Sequence, residues 1–338
     1  MDSVFVYLEL EDGAVAQVSR ELLTRGRSLA SSLGVKLEAV AIGSGLGGIE
    51  EQVMPYGTDV LHVFDDPCLS PYTTGPHAAI LTGLFRQEKP QIALMGATVT
   101  GRDLGPRVSS ALGSGLTADC TQLEIGGYED RKTGKVYENL LYQIRPAFGG
   151  NIIATIVNPD HRPQMATVRQ GVMKDEPAGG TGGIVIRHDT YAFVSPGDLA
   201  VSVIDRHMEP SSHHLDSAGI VVAGGYGMGS REDFQLLFDL AQVLHAEVGA
   251  SRAAIDAGFC SPDRQIGQTG LTVRPKLYIA CGISGQIQHI AGMRESSLVM
   301  SVNTDPDAPI NAIADYVITG RAQDVIPKLI AHYRKMSK

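Results

Sequence analysis

Apolar residues run through the first third of the chain in short blocks, with segments of helical period between them. Residues 3–10, 36–42, 60–64 and 92–95 read as strands, and 14–33, 48–54 and 74–87 as helices. Strand–helix–strand order predicts a parallel sheet with right-handed crossovers. From residue 116 to 168 the period becomes alternating, through Leu123 and Ile125, then Val136, Leu140, Tyr142 and Ile144, then Ile152, Ile153 and Thr155. That pattern predicts added strands joined across the polar turn 126–135. Residues 174–183 break the composition with Gly and Pro, 183–187 and 199–205 predict two further strands, and 207–217 is a polar linker.

The last third repeats the strand–turn–helix unit. Residues 219–223 form an apolar run, followed by the loop GGYGMGS (224–230). Ser230 and Asp233 then make a capping pattern ahead of Phe234, Leu237, Phe238, Ala241 and Leu244, which predicts a helix over 231–245. A second unit has a strand at 276–281, a turn at 282–285 and a helix at 286–292. A third strand, 297–302, ends at Asn303 and Asp305, on the carboxyl edge where open α/β sheets bind ligands. An amphipathic helix over 322–335, with Val325, Ile326, Leu329 and Ile330 on one face, closes the chain. The fold class is α/β in two domains: a parallel-sheet domain over 1–206, a linker over 207–217, and a Rossmann-like domain over 218–338.

Composition narrows the chemistry. The 338 residues, 43% hydrophobic, suffice for two cores. A net charge of −9 with scattered basic residues argues against a nucleic-acid surface. No apolar run is long enough for membrane insertion, and the first residues lack the basic region and cleavage site of a signal peptide. Cys68, Cys120, Cys260 and Cys281 stand far apart, so no zinc or iron–sulfur pattern is legible, and four free thiols suit a reducing, cytoplasmic setting. His207, His213 and His214 match no metal-ligand spacing and fit a solvated hinge. No catalytic triad, paired carboxylates or Walker loop appears, and Ser284 lacks the G-x-S-x-G frame, so the chain reads as a scaffold for a cofactor that does the chemistry.

That cofactor carries phosphate. Bare backbone is offered at turns or helix starts near residues 224–230, 249–258, 265–270 and 282–289, with Arg252, His289 and several hydroxyls among them. Gly225-x-Gly227-x-Gly229 is not the dinucleotide fingerprint, so a tight strand–helix turn explains that loop equally well. In the first domain, GSGLGG (43–48) and GATVTG (96–101), the latter with Arg102 at a helix start, are either phosphate cradles or ordinary strand-end turns.

The text VVAGGYGMGSREDF, GASRAAIDAG, QIGQTG, GISGQIQHIAGM and VNTDPDAPINAIADY, spread over about a hundred residues, resembles the alpha subunit of electron-transfer flavoproteins. The resemblance implies a deoxyhypusine-synthase-like FAD-binding domain behind a nucleotide-hydrolase-like domain that has lost its nucleotide. It implies that Ser251 and Arg252 lie against the flavin ring and that Ile266, Gly267, Gln268 and Thr269 form the turn facing the ring edge. Ser284, Gly285, Gln286, Ile287, Gln288 and His289 would wrap the pyrophosphate, ribityl chain and pyrimidine edge, with Asn303 toward the adenosine. Two departures stand out: Tyr226 replaces an Arg common in the glycine loop, and Arg321 replaces an Asp near the domain end.

The family further implies a heterodimer with a beta subunit, and exchange of electrons with an acyl-CoA dehydrogenase-type flavoenzyme or a membrane quinone reductase. RPAFGG (145–150) and RPQMATVR (162–169) resemble the electron-bifurcating branch, in which NADH and ferredoxin are reached through the complex. The strands around them face either the partner subunit or solvent. A ring that passes electrons singly must tolerate a half-reduced, anionic form, and a cation at ~4 Å with an effective dielectric of about 20 favours it by roughly 4 kcal/mol. At one electron this corresponds to on the order of 100 mV. Arg252 and His289 are the candidates, although each also fits an ordinary helix-surface residue. The alternative function is a nucleotide-binding module that senses NAD or ADP without redox chemistry.

Overall fold

All six residues of β1 (Ser3–Leu8) are buried, as befits a strand covered on both faces. The computed structural model describes residues 3–11, 13–147, 152–180, 182–205, 215 and 218–336. These divide into two compact units, residues 3–205 and Leu215 with the residues after it. In the first, β2 (Leu10–Glu11) and β3 (Ala14–Val15) form a small antiparallel pair, followed by α1 (Gln17–Leu33), β4 (Lys36–Gly43), α2 (Ile49–Val53), β5 (Val60–Asp65), α3 (Thr74–Glu88), β6 (Ile92–Gly96) and α4 (Val99–Leu112). Then come β7 (Leu116–Cys120), β8 (Gln122–Glu129), β9 (Val136–Ala147), β10 (Ile152–Ile156), β11 (Gln164–Val168) and β12 (Ile184–Arg187). The main sheet is parallel throughout, in the order β12-β5-β4-β1-β6-β11-β7.

Alternate residues of β1 serve opposite cores. Val4, Val6 and Leu8 pack with Leu22, Leu23 and Leu29 of α1. Phe5 and Tyr7 pack with Ile80, Leu81 and Leu84 of α3 and Leu104 and Val108 of α4. The alternating region splits in two: β7 and β11 join the parallel sheet, while β8, β9 and β10 make a separate antiparallel sheet.

One expectation needs correction. Residues 199–205 form no strand, and Ile204 is 97% exposed, so that apolar run has no sheet to join. The Gly/Pro-rich break after Lys174 is tied down. Asp175 accepts hydrogen bonds from Arg20 Nε at 2.9 Å and from the Tyr56 hydroxyl at 2.5 Å, and the Glu176 N–H donates to Thr24 Oγ1. This strap belongs to the first unit. The linker predicted over 207–217, with His207, His213 and His214, lies outside the described residues except Leu215, which is buried in a core of the second unit.

Both glycine loops of the first sheet have some of their donors taken up from within. The Gly45 and Leu46 N–H groups donate to the two oxygens of Asp65, at 2.7 and 3.1 Å. In GATVTG, Thr98 Oγ1 accepts from the Gly101 N–H and donates to Glu9 Oε2, while Arg102 pairs with Asp119. These contacts favour ordinary turns over phosphate cradles.

The second unit contains β13 (Ile220–Gly224), α5 (Arg231–Leu244), β14 (Glu247–Ala250), α6 (Arg252–Asp256), β15 (Leu277–Cys281), α7 (Ile287–Ile290), β16 (Val299–Asn303), β17 (Tyr316–Thr319) and α8 (Ala322–Met336). Ser230 caps α5 by accepting from the Asp233 N–H. The short strands β14 and β17 have no counterpart in the sequence prediction. The sheet is parallel in the order β14-β13-β15-β16-β17, a doubly wound arrangement. Phe234, Leu237 and Ala241 of α5 and Ile326 of α8 cover one face of it. No helix among the described residues is long and apolar enough to cross a membrane.

Candidate cofactor site

The carboxyl ends of β14 and β15 deliver the side chains of a cleft in the second unit. After β14, the Ser251 N–H donates to Gly224 O, and Arg252 opens the short helix α6. The chain returns beside β14, where the Ile266 N–H donates to Ala250 O, and turns at Gly267, whose φ of +146° disfavours any side chain. The Gln268 N–H then donates to Gln288 O at 2.7 Å, which ties this turn to the loop after β15.

Between the two loops lies a cleft of about 400 Å³. The structure brings Ser251, Arg252, Ile266, Gly267, Gln268, Thr269, Ser284, Gly285, Gln286, Gln288 and His289 to its walls, together with Ala253, Asp256, Gln265 and Ile283, which the sequence did not single out. Ile287 and Asn303 are not among the lining residues. The Asn303 side chain clamps the loop: its Nδ2 donates to Ile283 O at 2.8 Å and its Oδ1 accepts from the Asp305 N–H.

The expected helix over 286–292 is a single turn, too short to carry a strong macrodipole. What the loop offers an anion is unpaired donors. The N–H groups of Ser284, Gly285 and Gln286 have no acceptor among the described residues. Gly285 holds φ at +85°, and a Cβ there would meet Ile310 N at 2.3 Å, so the loop's path requires glycine.

In the glycine-rich loop after β13 the tight-turn alternative is the one the contacts favour. Its residues do not line the cleft. The Gly225 N–H donates to Cys281 O and the Gly227 N–H to Gly282 O, so these amides serve the neighbouring loop. A Cβ on Gly224 would collide with Phe234 at 2.3 Å, which makes that glycine a matter of strand–helix packing. Tyr226 stacks on Phe259 at 5.9 Å and stays outside the site.

Arg252 is the only cation lining the cleft among the described residues. Its side chain is 70% exposed and pairs with Asp256 at 3.5 Å, so it stands on the lip. His289, expected as a second cation, is buried and held by both ring nitrogens: Nε2 meets the Tyr278 hydroxyl at 2.9 Å and Nδ1 meets Ile266 O at 3.1 Å. Burial pushes its pKa down to about 4, so near neutral pH the ring carries no charge. Its contacts run through Tyr278, eleven positions back on β15, a partner that no local spacing reveals.

A doubly wound sheet with a donor-lined cleft at its strand ends defines a nucleotide-type cofactor domain. The family model of the electron transfer flavoprotein domain matches residues 4–189, and that of the electron transfer flavoprotein FAD-binding domain matches residues 214–294. The electron transfer flavoprotein subunit alpha of Thermoanaerobacterium thermosaccharolyticum is 45% identical, over 98% of either chain. Protein FixB of Rhizobium meliloti is 40% identical over 98% of this chain and 93% of its own. The acryloyl-CoA reductase electron transfer subunit beta of Anaerotignum propionicum is 40% identical over 97% of this chain and 94% of its own. The chain belongs to the electron-transfer flavoprotein alpha-subunit family, and FAD is its cofactor. The matches favour a redox carrier over a module that only senses NAD or ADP.

Proposed function

We propose that FAD lies in the cleft between the loops after β14 and β15, and that the chain relays electrons within a heterodimer formed with a beta subunit. The observation that carries this placement is the set of unpaired N–H groups at Ser284, Gly285 and Gln286, in one cleft with Arg252. Donors without internal partners suit the oxygen acceptors of a pyrophosphate and of a flavin ring edge. Bound FAD supplies the capacity to take electrons singly or in pairs. The protein's part is positional: Arg252 brings positive charge to the lip, the Ile266–Thr269 turn forms one wall, and the Ser284–His289 loop supplies backbone donors.

The electron partner is an acyl-CoA-oxidising or enoyl-CoA-reducing flavoenzyme, in keeping with the printed name of the Anaerotignum relative. The complex is tested by co-expression with the beta subunit and a flavin count for the isolated chain and the heterodimer. Ser284→Pro removes one unpaired N–H without breaking an internal hydrogen bond from it. It should leave cooperative unfolding intact and reduce flavin retention at least tenfold. Full flavin occupancy in that variant would show that the pyrophosphate lies elsewhere. Oxidation of NADH coupled to reduction of both ferredoxin and the enoyl-CoA-reducing flavoenzyme, one electron of each pair to either acceptor, would add bifurcation to the relay.

A further inference from the structure

Tyr278 is the largest fully buried side chain among the described residues, and its hydroxyl is directed at a ring that lines the cofactor cleft. For a neutral ring the proton count has one solution. Ile266 O can only accept, so His289 Nδ1 carries a proton and donates to it at 3.1 Å. In the neutral ring Nε2 is then an acceptor, and the Tyr278 hydroxyl donates to it at 2.9 Å. A cationic ring would donate from Nε2 to the phenolic oxygen instead and turn the phenolic proton away from its one partner. The Tyr278 hydroxyl has no other acceptor among the described residues.

We infer that Tyr278 is a positioning residue of the redox site, which fixes His289 as the neutral Nδ1–H tautomer and so leaves Arg252 as the one formal positive charge that a ligand meets in the cleft. The inference rests on the cofactor placement proposed above. The groups facing the pair agree with it. Cys281, on the same strand as Tyr278, is fully buried with its thiol pushed up to about 12, so it brings no charge. Asp256, on α6, is the one carboxylate lining the cleft, and it pairs with Arg252. Desolvation acts in the same direction on His289 itself. The chain Tyr278–His289–Ile266 also anchors the start of the turn that walls the cleft, so the hydroxyl fixes both charge and shape.

The test is nitrogen NMR on histidine-labelled full-length protein in complex with its beta subunit, with the His289 signals assigned by their loss in His289→Gln. Expected for the wild type are a protonated Nδ1, an unprotonated Nε2 and no titration between about pH 5.5 and 9. Tyr278→Phe should mix the tautomers and raise the proton affinity of His289 about tenfold, the worth of one hydrogen bond to the neutral ring. In the same variant the His289 titration should move up by about one pH unit, from about 4 toward 5, and the potential for the first electron should gain the added pH dependence in that range. A cationic His289 at pH 7 in the wild type would overturn the inference, as would tautomer and titration unchanged in Tyr278→Phe. If that variant fails to fold, the wild-type spectrum still decides. The tautomer is readable in flavin-free protein too, so a misplaced cofactor would show as flavin retained in Ser284→Pro with the His289 tautomer as stated.

Discussion

A β carbon on Gly225 would stand 2.1 Å from the carbonyl oxygen of Gly282, a separation no real pair of atoms tolerates. The backbone angle at Gly225, φ −104°, is open to any residue, so this glycine is required for space alone. Gly225→Ala should therefore push the loop after β13 off the loop after β15 and destabilise the second unit by about 1–3 kcal/mol. A drop in its urea midpoint together with weakened flavin retention would confirm this. An unchanged midpoint would mean that the two loops part without cost.

Arg252→Ala removes the cation on the lip. Because that side chain is mostly exposed, water screens its field, and at ~4 Å in a dielectric near 80 its effect is about 1 kcal/mol. The potential for the first electron should fall by on the order of 50 mV, with FAD still bound, in a spectroelectrochemical titration of the heterodimer. Asp256→Asn should shift it the other way, since it removes the opposing charge.

Acid sensitivity should begin at unusually mild pH. Burial lowers the pKa of His77 and of His289 from 6.5 to about 4, so between those values the unfolded chain binds protons that the folded chain refuses. The stability held by each ring is complete above pH 6.5, drains away as the pH falls, and is gone below about 4. The slope is at most about 1.4 kcal/mol per pH unit for each ring. Denaturant midpoints measured from pH 7 to 4.5 should show it. His77→Gln should flatten the slope for the first unit only.

Asp65→Ala should leave the Gly45 and Leu46 N–H groups without their acceptor and cost about 1–3 kcal/mol. Addition of phosphate or sulfate should restore part of that loss in a thermal melt of the variant and do nothing for the wild type.

Much of the fold was legible in the chain because its strands are blocks of apolar residues at strand ends marked by glycine, as in residues 36–43 and 277–281. What failed depended on what lies across space. The apolar run 199–205 reads as a strand until one asks what it could pair with. Gly225 and Gly227 signal a close approach of backbone, and the sequence does not say whether a ligand or Gly282 makes it. The positions of Arg252, the Ile266–Thr269 turn and the Ser284–Gln286 loop were recoverable through the family resemblance. The charge on His289 was not, because burial and the hydroxyl of Tyr278 decide it.

Asp65 has a consequence for how the molecule is loaded. A carboxylate tethered to the end of its own strand is always at hand, whereas a free nucleotide must first find the loop and then dislodge it. An anion that seeks those two N–H groups must therefore displace Asp65 first. Exchanging that single side chain would reopen a competing berth without altering one residue of the flavin cleft.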